Sequence, residues 1–313
     1  MSDAELLLST ARRPLVLGIG GGGDVVGALA TAEACRIYHG GEPVVGGVSW
    51  ERRVIDPEPG PRSTAEIEAA RELAPGVLAA SGETRVRETG VRFAEGRVAE
   101  LLGEETLLLD VTRSPMELAA SLRVAGDELG CDLFVFLDVG GDALAHGDEH
   151  GLASPLCDAI MLASATHLQL ERAVLGGVFG AGCDGELTPA EVLERVAEVA
   201  AAGGLAGARG LTLAVVERLE RAVEAVPTEA SAQALRCFRG ERGTTTIRNG
   251  RRTVELGPIG AATLYFDPTA AVHSAARLAR AVLDASGLED ANERLHSLGL
   301  RTELDYERAL DDR

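Results

Sequence analysis

Repeatedly along this chain a short apolar run stops at glycine or an acid, and a helix start follows. Leu15–Ile19, Val44–Val48, Leu107–Asp110, Leu133–Leu137 and Val174–Phe179 are such runs. They are apolar on consecutive rather than alternate residues, the pattern of strands covered on both faces. Val25 to Ile37 carries a helical period after the first run. Ser114-Pro115-Met116-Glu117 joins an N-cap serine, a proline at the first helical position and a capping-box glutamate, for a helix reaching about Leu129 and stopped by Gly130. Thr188-Pro189-Ala190-Glu191 repeats that start. Strand, crossover helix and strand at this spacing form βαβ units, whose strands pair in parallel.

Elsewhere the pattern changes. Asp56–Pro61 holds three prolines and reads as a loop, after which Ser63 and Glu66 predict a capping box on a short helix. Helical stretches follow the Thr188 helix at about 211–225 and 229–239. An antiparallel hairpin covers about 244–256, with Asn249-Gly250 supplying two positive-φ turn residues. A strand at Ala262–Phe266 precedes a helix opened by Asp267-Pro268 and running toward Ala285. The expected fold is α/β: three layers, a Rossmann-like, mostly parallel sheet with helices on both faces, the added hairpin and a helical C-terminal tail. One domain spans 1–287, and residues 288–313 form a helical extension packed on it.

Composition removes several functions. All 30 basic residues are arginine. Without lysine there is no Walker A lysine, no Schiff-base enzyme and no pyridoxal phosphate, since each needs a primary amine. Acids outnumber bases by 49 to 30, giving a net charge of −19, and aromatics are only 3%. That field repels nucleic acid and anionic membranes, and few rings are present to stack on bases. Arg12-Arg13 before Leu15–Ile19 imitates an export signal, but Pro14, the glycines and Asp24 interrupt it, and no 18-residue apolar run exists. Five widely spaced cysteines with no CxxC predict neither a disulfide framework nor a zinc knuckle. The expectation is a cytoplasmic protein, neither membrane-bound nor nucleic-acid-binding; a homo-oligomer is compatible with it.

Chemistry concentrates after the strands. Gly18-Ile19-Gly20-Gly21-Gly22-Gly23 fits G-x-G-x-x-G between a strand and a helix, so Gly18, Gly20, Gly21, Gly22 and Gly23 are candidate phosphate or nucleotide ligands. Asp24, next in line, opposes a pyrophosphate by charge and reads either as a helix cap or as a ligand; Glu51 is the nearest candidate for a ribose acid. Asp138-Val139-Gly140-Gly141-Asp142 is the sharpest signal, because packing alone gives little reason to end an apolar strand in two acids around two glycines. With Glu149, near Asp148, His146 and His150, Asp138 and Asp142 suit Mg²⁺ or Mn²⁺. A zinc site on His146 and His150 lacks a cysteine partner or an HExxH pattern. Asp184 and Glu186 add two acids on the same sheet edge, beside Cys183, a nucleophile only if a base stands near it. Arg52 and Arg113 are candidate oxyanion clamps. His39, His167, His273 and His296 stand alone and read as structural or solvated.

Gly20–Asp24, Trp50-Glu51-Arg52, Asp138–Asp142, Ser154-Pro155-Leu156-Cys157-Asp158 and Gly182–Glu186, in this order, resemble the prokaryotic family catalogued as domain of unknown function 1152. The resemblance covers nearly the whole chain, implies a Rossmann-like α/β fold and brings no activity with it. From the residues, the expected function is a cytoplasmic enzyme hydrolysing or transferring a group on a nucleotide or phosphorylated metabolite, assisted by a divalent cation. Asp138, Asp142, Asp184 and Glu186 carry the chemistry in that reading. A dinucleotide-dependent oxidoreductase using Glu51 and a non-catalytic metabolite-binding or scaffold protein are the alternatives.

Overall fold

All five apolar runs become neighbouring strands. A computed structural model of the chain describes residues 3–311. In chain order the strands are β1 (Pro14–Gly18), β2 (Val44–Val48), β3 (Ile67–Ala74), β4 (Val77–Val86), β5 (Thr106–Leu109), β6 (Leu133–Val139), β7 (Val174–Phe179), β8 (Leu205–Gly210), β9 (Gly243–Ile247), β10 (Arg252–Leu256) and β11 (Ala262–Phe266). The helices on one face are α1 (Ala4–Thr10), α2 (Asp24–Ala34), α3 (Ala94–Leu102), and, later in the chain, α7 (Leu213–Ala225) and α8 (Ala230–Phe238). The other face carries α4 (Pro115–Leu129), α5 (Pro155–Leu168), α6 (Pro189–Ala201), α9 (Pro268–His273), α10 (Arg277–Val282), α11 (Leu288–Ser297) and α12 (Glu303–Asp311).

Nine strands form one sheet in the order β3-β4-β5-β2-β1-β6-β7-β11-β8. The central five are parallel; Leu15, for example, stands opposite Val44 on one side and Phe134 on the other. The chain lays β1, β2 and β5 outward in one direction, and α4 then carries it back to β6 on the far side of β1. The connections leaving β1 and β6 therefore part in opposite directions, which opens a crevice at the strands' carboxyl ends. Consecutive strand residues feed two separate cores. Leu15, Leu17, Phe134 and Phe136 pack toward α4 and α5. Val16, Leu133, Val135 and Leu137 pack toward α2 and α7. Two buried faces explain why these strands are continuously apolar.

The α/β architecture, the separate hairpin and the helical tail are as the sequence predicts, and four local expectations change. The Ser63–Glu66 capping box closes only a single 3₁₀ turn (Thr64–Glu66) before the chain enters β3. The helix begun at Asp24 ends in a wider π turn over Cys35–His39, and the one opened by Asp267-Pro268 breaks into α9 and α10. The hairpin loop has four residues rather than two, since Ile247 pairs with Arg252, and Arg248, Asn249 and Gly250 all take positive φ. Antiparallel strands also extend the sheet at both edges, β3 and β4 at one and β11 and β8 at the other.

The tail is anchored to the domain. Leu288, Leu295 and Leu304 join the core under α5. Glu307 accepts hydrogen bonds from Trp50 Nε1 (3.1 Å) and Gly60 N (2.8 Å), so α12 closes over the carboxyl end of the sheet.

Candidate functional site

The crevice floor starts at the glycine loop. Gly21 and Gly22 have φ of 79° and 53°, which turns the chain sharply between β1 and α2. Asp24 is the first residue of α2, and its carboxylate folds back into the loop, accepting from Gly20 N (3.0 Å) and Val139 N (3.3 Å). A Cβ on Gly20 would lie 2.7 Å from Asp24 Oδ2 and 3.1 Å from Asp158 Oδ2. Gly22 N donates to the Trp50 carbonyl at 2.8 Å. The loop thus encloses a carboxylate, and two of its amides are already committed.

Across the crevice, β6 delivers Asp138, whose Oδ2 accepts from Ala143 N at 3.1 Å while Oδ1 has no partner. Gly140 and Gly141 follow at φ of 132° and 121°, conformations that L residues rarely adopt, and they bring Asp142 back beside Asp138. The loop after β7 contributes Asp184 and Glu186. Glu186 accepts from Ala153 N (2.7 Å), Ser154 N (2.9 Å) and the Ser154 hydroxyl. Glu303, from α12, accepts from Leu156 N (3.1 Å) and Cys157 N (2.8 Å). The N-terminus of α5 is therefore capped by two acids distant in sequence, which satisfies amides left open by the helix.

Asp158, in the first turn of α5, is 2% exposed and its Oδ1 is unpartnered. Two carboxylate groups result, each with ligand-capable oxygens within 4.8 Å of one another: Asp24 with Asp138 and Asp158, and Asp142 with Asp184 and Glu186. All six residues are buried. Burial and the neighbouring acids push Asp138, Asp142 and Asp158 well above the ordinary carboxylate range. Burial raises Asp24 and Asp184 to about 7. Glu186 goes the other way: burial opposes its charge, but Arg252 and the Ser154 hydroxyl hold it below its ordinary value.

Arginines form the lip. Arg252 lies 2.5 Å from Glu186 and 3.8 Å from Asp184, and Arg248 lies 3.9 Å from Glu186. Arg248 has a φ of 52°, and its backbone N–H is held by both Glu229 carboxylate oxygens at 3.0 Å. Burial and the adjacent Arg52 and Arg252 push its guanidinium down to about 10. Arg52 sits against the Gly22 turn. The cleft, open to solvent, measures about 1050 Å³, with the exposed Val54, Tyr306 and Leu310 along its rim. In the loop that carries Val54, Asp56 and Arg62 form a buried pair with two hydrogen bonds of 2.7 Å.

Of the residues singled out in the sequence, Gly20, Gly21, Gly22, Asp24, Glu51, Arg52, Asp142, Asp184 and Glu186 line this cleft, with Asp138 at its floor beside Asp142. Gly18 and Gly23 pack instead, against the start of α2 and against Thr228. Glu51 caps α3, accepting from Ala94 N at 2.5 Å, and burial pushes it up to about 7. Glu149 falls outside both carboxylate groups; it accepts from His146 N and Gly147 N at 2.8 Å, within a separate cluster with Asp148. The His146 ring is set between Glu198 (2.9 Å) and Arg195. Arg113 pairs with Glu117 at 3.4 Å, away from the cleft. The Cys183 thiol, in contact with Cys237 and buried, is pushed further from thiolate. Asp158, Glu303, Arg248 and Arg252 are the residues that sequence reasoning passed over. Asp158 entered the sequence reading only as the end of the Ser154–Asp158 stretch that carries the family resemblance, with no role of its own, and Arg248 and Arg252 bracket the hairpin turn.

Among the described residues no helix is long and apolar enough to cross a membrane. No curated protein and no solved structure matched the chain. A family model covers residues 15–311, nearly all of the fold just described, and the chain therefore belongs to the family described as protein of unknown function (DUF1152).

Proposed function

We propose that this protein is a cytoplasmic enzyme that hydrolyses or transfers a group on a nucleotide or another phosphorylated small metabolite, with a divalent cation, Mg²⁺ or Mn²⁺, held by the crevice acids. The carrying observation is the set of unpartnered, buried oxygens on Asp138, Asp158 and Asp184, members of two carboxylate groups of which five of the six residues line one crevice. Leaving such groups unsatisfied costs about 1–3 kcal/mol each, more when charged, so their presence fits a ligand supplied from outside. Hard carboxylate oxygens at this density match Mg²⁺ or Mn²⁺. A bound cation supplies polarisation of a phosphoryl oxygen and an acidified water.

The chain's own residues divide the remaining work. Arg248 and Arg252 orient the phosphate: Arg248 Nε is buried without a hydrogen-bond partner and Arg252 is paired with Glu186, and a guanidinium fork matches phosphate oxygens. Asp142, its proton affinity raised by burial and by Asp158 and Glu186, takes or returns the proton of the attacking hydroxyl or water. The exposed apolar residues at the cleft's rim, Val54 and Leu310, are placed to pack against the rest of the substrate.

The glycine loop has a revised part in this reading. Its Gly20 amide already holds Asp24, so a dinucleotide would have to lay its pyrophosphate where that carboxylate sits. This weighs against the oxidoreductase alternative. The test of the catalytic reading is Asp142→Asn against a panel of nucleotides and sugar phosphates with Mg²⁺ or Mn²⁺. Wild type should turn over at least one class, and the variant should lose 100-fold or more, a magnitude on the order of general acid–base loss, with an unchanged melting profile. Ligand-dependent thermal stabilisation without turnover would instead favour the metabolite-binding alternative.

A further inference from the structure

The two carboxylate groups differ in one respect. Asp138 Oδ1 and Asp158 Oδ1 have no partner, and each residue is at least 98% buried, being 1% and 2% exposed. The group of Asp142, Asp184 and Glu186 already contains a cation, the Arg252 guanidinium, 2.5 Å from Glu186 and 3.8 Å from Asp184. Arg248 stands behind it at 3.9 Å from Glu186. Arg248, unlike the ion-paired Arg252, is incompletely satisfied, its Nε having no hydrogen-bond partner. The two arginines also sit at the two ends of a hairpin loop whose Arg248 is held at a φ of 52°, a conformation that costs an ordinary residue about 1–3 kcal/mol and collects at functional sites.

We infer that the crevice takes two divalent cations in order: one at Asp24, Asp138 and Asp158 in the resting protein, and a second at Asp184, Glu186 and the phosphate itself, beside Asp142, only when that phosphate draws Arg252 away. The inference rests on the cation-binding part of the proposed function and deepens it. In the resting protein Arg252 fills the second position as an internal counter-ion, and two cations plus a guanidinium there would repel at short range. A phosphate offers the guanidinium a bidentate, doubly charge-assisted partner in place of a carboxylate that Ser154 and two backbone amides also share. Once the arginine turns to the phosphate, the second acid group has lost its counter-ion and accepts a metal. The adjacency of Asp142 to Asp138 joins the two positions, the arrangement in which paired cations clamp both oxygens of a displacement. Loading the second metal only with the phosphate in place keeps the resting site from hydrolysing bulk anions.

The test counts Mn²⁺ on the chelator-treated full chain, by equilibrium dialysis and titration calorimetry, with and without inorganic phosphate at a concentration that keeps Mn²⁺ dissolved. One ion per chain is expected without phosphate and two with it. Arg252→Met should bind two without phosphate, and Asp158→Asn, checked for an unchanged circular dichroism spectrum, should lose the first. Two ions on the wild type without phosphate, or a count that phosphate and Arg252→Met both leave at one, overturns the ordered loading while the cation-dependent enzyme survives. No Mn²⁺ under any condition overturns both.

Discussion

Gly140 shows how little freedom the acid site leaves its backbone. Its φ is 132°, and a Cβ there would fall on the Asp184 carboxyl. Gly103, which ends α3 at a φ of 70°, has nothing within 4 Å of such an atom. Gly103→Ala should therefore cost only the backbone term, about 1 kcal/mol. Gly140→Ala should cost about 1–3 kcal/mol more in strain alone, and it should also displace Asp184 and weaken cation-dependent thermal stabilisation. Urea unfolding with and without Mn²⁺ compares the two; equal losses would remove the special role given to Gly140. The same scale explains what the sequence reveals of the site. Asp138 and Asp142 stand out because an apolar strand has no packing reason to end in acids around glycines. Asp158 does not, because an acid in a helix's first turn is also the ordinary partner of the helix dipole. Arg248 and Arg252 read as turn-flanking surface residues until the hairpin is placed over Glu186.

Among the elements, those that complete the cleft are the ones least readable in advance. The parallel core announces itself through runs of apolar residues with two covered faces. The edge strand β3, Ile-Glu-Ala-Ala-Arg-Glu-Leu-Ala, has the composition of a helix. It is a strand because β4 offers it a ladder, and Ala69, at a φ of 56°, marks the irregularity in that pairing. The tail was legible as helical, but its reach to α5 was not, since no local pattern says that Glu303 will cap Leu156 and Cys157. Leu304, 1% exposed, holds that contact in place. Leu304→Ala should lower stability by about 2–5 kcal/mol. Hydrogen exchange at the amides of Leu156 and Cys157 should accelerate more than at the centre of α4. Uniform acceleration across both helices would mean that α12 does not act locally on α5.

Taken whole, the molecule balances carboxylates of both kinds, and this sets its pH response. Burial raises Asp24, Asp184 and Glu51 to about 7 and Glu303 to about 8. The folded chain holds these protons more tightly than the unfolded one, so their contribution is complete at low pH and is lost as pH rises through 7 and 8. Asp305 acts oppositely: against its burial, hydrogen bonds from Thr302 and His296 pull it to about 2, so its contribution is present above about pH 4 and lost below. The melting temperature of the chelator-treated protein should therefore peak near about pH 4 and decline toward pH 8. Mn²⁺ should flatten that decline, because a ligand of the folded state stabilises it by mass action. A melting temperature that rises steadily to pH 8 without metal would contradict the burial argument.

Asp24 also decides which sign of ion the front of α2 welcomes. Its carboxylate occupies the Gly20 amide and the positive end of the helix from within. Many dinucleotide-binding proteins leave the equivalent pocket vacant and fill it with an oxyanion. Here one methylene-linked carboxylate inverts that preference, and in the proposed cation-binding reading the turn presents a negative group to the metal ion. Replacing that single side chain by alanine would free the Gly20 amide and leave the turn open to anions.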